Sequence, residues 1–170
     1  MALLLQGENW NEIMGRDVMV KLHSRLEYAE DDPLGQTAQM GSSVTCNMKC
    51  FFMKQNPDES DGKDELVRAS DAPFETLTAQ TFKIGEADAV PALELALRHS
   101  KAGDRLTLRA TNRFAYGPAG RPALISSASS SSSPAIPPQA DLEFDIEIIK
   151  ILGDRAIDLD LLVKVRVCCM

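Results

Sequence analysis

With 170 residues, 44% of them apolar and 25% charged, the chain has the composition of an ordinary globular protein and enough length for one buried core. A fully disordered, collagen-like or coiled-coil protein is thereby excluded. Eighteen Lys and Arg against 25 Asp and Glu leave a net charge of −7, so binding to nucleic acid would need a strong local basic patch.

Residues 1–36 are acidic, with seven Asp or Glu against three Lys or Arg, and read as an N-terminal extension. Met1 to Glu8 lacks the basic start and long apolar stretch of a secretion signal, and no apolar run approaches the roughly 20 residues that span a bilayer. The expectation is an intracellular, cytoplasmic chain that does not insert into membranes. Trp10 to Leu26 suits one short helix and an extended stretch. Asp31-Asp-Pro-Leu-Gly35 reads as a turn, since Pro fixes φ and Gly permits a positive one. From Val44 to Phe52 apolar and polar residues alternate, the period of a strand with one apolar face. Asn56 to Asp71 is acid-rich, with a Pro and a Gly, and reads as a solvated loop or irregular edge.

Thr78 to Ile84 predicts a second strand, closed by Gly85. Val90 to His99 predicts a short helix: Pro91 suits the first helical position, Leu93 and Leu97 share a face with Ala96 beside them, and Glu94 precedes Arg98 by four. Gly103 follows as a stop. Arg105 to Arg113 alternates again, with Arg105, Thr107, Arg109, Thr111 and Arg113 on one face. Asp141 to Ile148 mirrors it, with Asp141, Glu143, Asp145 and Glu147 on one face and Leu142, Phe144, Ile146 and Ile148 on the other. If these strands are neighbours, an arginine ladder lies against an acid ladder, each pair worth roughly 0.2–1 kcal/mol. Between them, Ala123 to Pro134 carries five consecutive serines and reads as a mobile loop. The tail from Asp154 to Met170 alternates through Ile157, Leu159 and Leu161, then Val163, Val165 and Val167. It is either a last edge strand or the start of something longer. Strands, one short helix and long loops make an α+β domain with a mostly antiparallel sheet.

Most candidate chemistry is weak. Cys46 and Cys50 on a strand stand about 13 Å apart, too far to share a zinc ion with ~2.3 Å bonds, so both read as core. Cys168 and Cys169 do not occupy the prenylation position, which is Val167. His99 sits where a helix C-terminus favours a cation or donor. No nucleophile elbow, phosphate loop or dinucleotide fingerprint is present. The expected set of cofactors and metals is therefore empty, and no nucleic-acid partner is expected.

One ordered set of segments is specific: Phe82-Lys-Ile-Gly85, Pro91-Ala-Leu-Glu94, Gly103-Asp-Arg, Phe114-Ala-Tyr-Gly117, Ala119-Gly-Arg-Pro122, Ile136-Pro-Pro-Gln-Ala-Asp-Leu142 and Phe144-Asp-Ile-Glu-Ile-Ile-Lys150. It resembles the FKBP (immunophilin) family of peptidyl-prolyl cis–trans isomerases over about residues 36–152. The Trp10 region, Pro91-Ala-Leu and Tyr-Gly-Pro-Ala-Gly-Arg look most like the divergent, tetratricopeptide-bearing branch.

The resemblance implies a twisted antiparallel β-sheet wrapped around one short α-helix, with the isomerase domain over residues 37–153. It places a ligand pocket between helix and sheet. Tyr116, Phe144 and Asp71 would take the catalytic positions, and Val90, Leu93, Ile136, Phe82 and Met48 would bind substrate. Implied partners are proline-containing peptides, macrolides such as tacrolimus and rapamycin, and chaperones. The departures predict weak activity and weak macrolide binding. Leu93 stands where active members have a tryptophan floor, Met48 replaces a pocket tyrosine with Cys50 at the usual glycine position, and Gln80 replaces an aromatic. Each lost aromatic removes about 150–250 Å² of contact. The alternative from another class is a non-catalytic co-chaperone module on the same fold.

Overall fold

The computed structural model describes residue 7 and residues 9–27, 35–55, 66–125 and 132–153. In chain order the elements are β1 (Asn11–Glu12), β2 (Val18–Ser24), β3 (Ser43–Gln55), β4 (Leu66–Arg68), β5 (Glu75–Lys83), α1 (Pro91–Arg98), β6 (Arg105–Ala110), β7 (Leu124–Ile125), β8 (Ser132–Ser133) and β9 (Leu142–Leu152), with a 3-10 turn at Asn112–Phe114. Seven strands form one sheet in the order β1-β2-β6-β9-β3-β4, and β5 also pairs with β3. Every strand pairing in it is antiparallel.

One face of the sheet is apolar because period-two alternation puts its branched side chains there. Val18, Val20 and Leu22 from β2, Leu106 and Leu108 from β6, Val44 and Cys46 from β3, and Phe144, Ile146 and Ile148 from β9 are all buried. They share one core with Ala92, Leu93, Ala96 and Leu97 of α1. The helix starts at Pro91 behind an extended Val90. At its end His99 donates from Nδ1 to the Leu95 carbonyl at 2.7 Å, which satisfies one of the orphan carbonyls of the last turn.

The expected ladder forms. Arg105, Thr107 and Arg109 stand opposite Glu147, Asp145 and Glu143. Arg105 and Glu147 approach to 2.6 Å, and Arg109 and Glu143 to 2.7 Å. Thr107 donates to Asp145 at 2.9 Å. Arg113 leaves this row, because β6 stops at Ala110 and the chain coils into the 3-10 turn; its guanidinium stands 3.8 Å from Asp17 instead.

Several expectations are corrected. Trp10 to Leu26 contains no helix: a turn at Gly15, with φ of +57°, separates β1 from β2, and β2 pairs with β6 inside the main sheet. The valine alternation at 18 and 20 prevails over any helical pattern. Arg25, just past β2, donates Nη2 to Asp104 at 2.6 Å, and Asp104 is wholly buried. This part of the expected extension is therefore built into the domain. The acid-rich stretch contributes β4, which pairs with the end of β3. β9 runs past Ile148 to Leu152 because a bulge opposite Thr45 and Cys46 resets the alternation. That leaves Ile149 46% exposed while Ile151 packs against the core. The ends of the serine-rich segment pair with each other, Leu124 with Ser133 and Ile125 with Ser132. All but Gly35 of the turn expected at 31–35, most of the serine run and the tail from 154 lie outside the described residues.

Candidate functional site

A cavity of about 240 Å³ opens where the N-terminus of α1 faces the sheet. Period two aims Met48 and Cys50 of β3 and Phe144 of β9 into it, and Phe82 enters from the end of β5. Val90 and Leu93 come from the start of the helix. Leu93 is 2% exposed and Phe144 also 2%, so floor and inner wall exclude water, while Glu75, Gln80, Asp88, Arg121 and Ser133 bring polar groups to the rest of the lining. Tyr116 follows the 3-10 turn, where the Gly117 amide donates to the Asn112 carbonyl at 2.8 Å and closes the loop beneath the ring.

Six of the eight residues expected at the pocket therefore line it: Met48, Phe82, Val90, Leu93, Tyr116 and Phe144. Ile136 is buried but lies outside the lining. Its main chain is bound to Arg121, accepting from the Arg121 amide at 2.9 Å and donating to the Arg121 carbonyl at 2.7 Å. Asp71 is exposed and also lies outside the lining. The carboxylates at the cavity are Asp88, just before the helix, and Glu75, four residues after Asp71 at the start of β5.

Glu75 does not stand alone. Arg121 Nη2 donates to both of its carboxylate oxygens, at 3.2 and 3.0 Å, and Arg121 Nη1 donates to the Tyr116 hydroxyl at 3.2 Å. Side-chain exposures of 17% for Arg121 and 9% for Glu75 mean that solvent screens the pair little. Burial pushes the Tyr116 phenol above its ordinary pKa, with Arg121 working in the opposite direction. Burial, reinforced by the Glu75 carboxylate, pushes the Cys50 thiol up to about 12.

Sequence reasoning missed Glu75, Arg121, Cys50 and Phe74. Phe74 also lines the cavity and stacks on Phe52 with ring centroids 4.1 Å apart, which restores part of the aromatic area lost at other positions. Its signal was the Phe-Glu pair at 74–75 directly after a proline, placed at the edge of a strand that alternation alone started at Thr78. Arg121 lay inside a quoted motif, but nothing local ties it to Glu75, 46 residues away.

A larger hollow of about 720 Å³ lies among polar residues on the opposite face of the sheet, including Asn47, Lys49, Thr107 and Glu147. Its arginines, Arg68 and Arg105, are paired with Asp145 and Glu147. It carries the charge ladder beside Met48, Leu77, Leu106 and Ile146, and is the more open of the two hollows. Among the described residues no helix is long and apolar enough to cross a membrane.

The fold, a sheet closed over one short helix with a dry cavity between them, is that of a prolyl-isomerase domain. The family described as FKBP-type peptidyl-prolyl cis-trans isomerase matches residues 34–149, and the chain belongs to that family. It is 27% identical over 135 residues to FK506-binding protein 1B of Aspergillus fumigatus, covering 79% of this chain and 93% of that protein. It is 28% identical over 109 residues to FK506-binding protein 59 of Drosophila melanogaster, covering 64% of this chain but only 20% of that relative's length. Among solved structures, a peptidyl-prolyl cis-trans isomerase from Pseudomonas syringae superposes with a TM-score of 0.54 at 16% identity, covering 86% of this chain and 84% of that one. The N-terminal domain of FKBP42 from Arabidopsis thaliana gives 0.52 at 15%, covering 88% and 97%. The chain spans 49% of the wheat FKBP73 chain, which holds three FKBP domains, with a TM-score of 0.52 at 16% identity and 85% of this chain covered. At these identities the structural likeness establishes the shared fold.

Proposed function

We propose that this chain rotates X-Pro peptide bonds in the 240 Å³ cavity, and does so weakly. The observation that carries the reading is the convergence of Tyr116, Phe144, Phe82 and Leu93 on one dry space beside the helix. Rotation about a prolyl bond must cross a barrier of about 18–20 kcal/mol, set by amide resonance. No covalent bond breaks, so neither a nucleophile nor a base is required. Twisting the amide reduces its polarity, and a site that excludes water stabilises the twisted form relative to the planar one. Phe144, Leu93, Val90 and Met48 supply that apolar surface. The Tyr116 hydroxyl donates to a substrate carbonyl and holds the peptide as it turns. Only contacts stronger in the twisted form raise the rate.

Weakness follows from the floor. Leu93 presents less area than a tryptophan, and 240 Å³ falls below the roughly 300–1,000 Å³ of most small-molecule sites. Macrolides therefore bind weakly. The same small volume favours the second reading, a non-catalytic module that offers this surface to other proteins. A cytoplasmic role in protein folding accords with both readings. The likeness of Pro91-Ala-Leu and Tyr-Gly-Pro-Ala-Gly-Arg to the tetratricopeptide-bearing branch supports chaperones among its partners.

The deciding experiment is a prolyl-peptide isomerisation assay on the whole chain, with Tyr116→Phe and Phe144→Leu as variants. Leucine keeps the core filled while removing the ring. A low but measurable acceleration is expected, falling about 2- to 10-fold on loss of the phenol's single hydrogen bond. Activity indifferent to both changes would favour the non-catalytic module.

A further inference from the structure

We propose that Arg121 positions the Tyr116 phenol for substrate, with Glu75 as the anchor that holds Arg121 in place. The inference rests on the prolyl-isomerase reading of this cavity and assigns it a second layer of residues.

A phenol oxygen has one proton to donate and lone pairs to accept with, whereas a guanidinium has donors only. When Arg121 Nη1 donates to Tyr116 Oη at 3.2 Å, it fixes the oxygen and leaves the hydroxyl proton unused. Tyr116 lines the cavity, so that proton is available to a peptide carbonyl entering there. A cation bonded to the oxygen also makes the remaining O–H a stronger donor. The guanidinium carbon sits 5.1 Å from the Tyr116 ring centroid, so the ring as well as its hydroxyl is held.

Arg121 is itself held at its Nη2 and main chain, while its buried Nε has no hydrogen-bond partner among the described residues. Glu75 takes Nη2 with both oxygens, and the Pro134 carbonyl accepts from the same nitrogen at 3.3 Å. The main chain of Arg121 is locked to Ile136 in both directions. That lock needs Gly120, whose φ is +68° and where a Cβ would land on the backbone of Ile136 and Pro137. Arg121 and Pro134 stand at the two ends of the serine-rich insertion. The guanidinium therefore ties both ends of that segment to the phenol.

The test uses the full chain with Arg121→Met, Arg121→Lys, Glu75→Gln, Tyr116→Phe and the double variant Arg121→Met/Tyr116→Phe. Isomerase kcat/KM is expected to fall about 2- to 10-fold in Arg121→Met and no further than in Tyr116→Phe, because Arg121 acts through that phenol's one hydrogen bond to substrate. Arg121→Lys should recover part of the loss, because it keeps the charge without the fork. In the Tyr116→Phe background the same substitution should cost less than about twofold, since its target is gone. A second readout does not depend on turnover. The phenolate absorbance of Tyr116, isolated by difference against Tyr116→Phe, should titrate at higher pH in Arg121→Met, while Glu75→Gln should lower kcat/KM toward the Arg121→Met value. A phenol titration unmoved in Arg121→Met, full activity in Glu75→Gln, or losses that multiply independently in the double variant would overturn the proposal. A wild-type chain without isomerase activity would count against the functional reading alone, and the titration would then decide the positioning claim.

Discussion

At the scale of single residues, the cavity joins two kinds of chemistry that seldom share a wall. Apolar side chains make it dry, and that dryness governs the polar groups that line it. Cys50 illustrates this: its thiol is 2% exposed with its residue, and it faces a carboxylate, so the thiol pKa is raised to about 12. Cys46, deeper in the same strand, is raised to about 11 by burial. The thiolate is the reactive form, and neither residue forms it near neutrality. Iodoacetamide at pH 8 should therefore leave Cys46 and Cys50 unmodified in the native chain and label both in urea, as read by peptide mass mapping. Rapid native labelling of Cys50 would show that the cavity wall is wetter than described.

At the scale of elements, the second strand explains why the amino-terminal segment cannot be trimmed. β2 covers β6 with Val18, Val20 and Leu22, each fully buried. The residue after it, Arg25, satisfies an aspartate with no solvent contact: Asp104 accepts from Nε at 3.0 Å and from Nη2 at 2.6 Å, and from the Lys101 amide at 2.8 Å. Asp104 sits between α1 and β6, so this ion pair clamps the helix to the sheet that frames the cavity. Removing one partner of a buried pair typically costs about 3–5 kcal/mol, because the other charge is left stranded. Arg25→Ala should lower the unfolding free energy from urea titration by an amount in that range, well above the roughly 0–1 kcal/mol expected for Arg105→Ala on the exposed ladder. Equal, small effects in the two variants would show that the Arg25 pair is solvated.

At the scale of the whole molecule, the pH response follows from the same burial. Cys46, Cys50 and Tyr116 all have folded-state pKa values above their ordinary ones. An acid raised on folding contributes stability that is fully present below its unfolded pKa and lost as pH rises through the folded value. For the thiols that window runs from 9.0 to about 12. The urea midpoint should therefore hold steady up to about pH 9 and then fall. Isomerase activity should stay level through the neutral range, because the phenol keeps its proton there. A midpoint that rises above pH 9 would contradict the assignment of these groups to a dry interior.

Much of this was legible from local pattern, for a physical reason. Alternation reports which side chains share a face, so the Arg105, Thr107 and Arg109 row and its acid counterpart could be read before their pairing was known. Likewise, Pro91 with the Leu93 and Leu97 spacing located the helix. The Ala-Tyr-Gly and Phe144–Lys150 segments brought Tyr116 and Phe144 to the pocket through resemblance to a family, whereas the Ile-Pro-Pro segment pointed to Ile136, which lies outside the lining. Alternation is blind, however, to where a strand meets its neighbour and to the bulges that reset it. Hence the start of β5 at Glu75 and the extension of β9 past Ile148 became visible only in the paired sheet. The electrostatics of the site are non-local in the same way. Glu75 and Arg121 meet because one edge strand and one loop close over the same end of the helix, and no spacing along the chain encodes that meeting. The sequence by itself determined the faces, the helix and the family; the tertiary structure decided which carboxylates stand at the cavity and what holds the phenol, because charge pairing depends on distance in space and not along the chain.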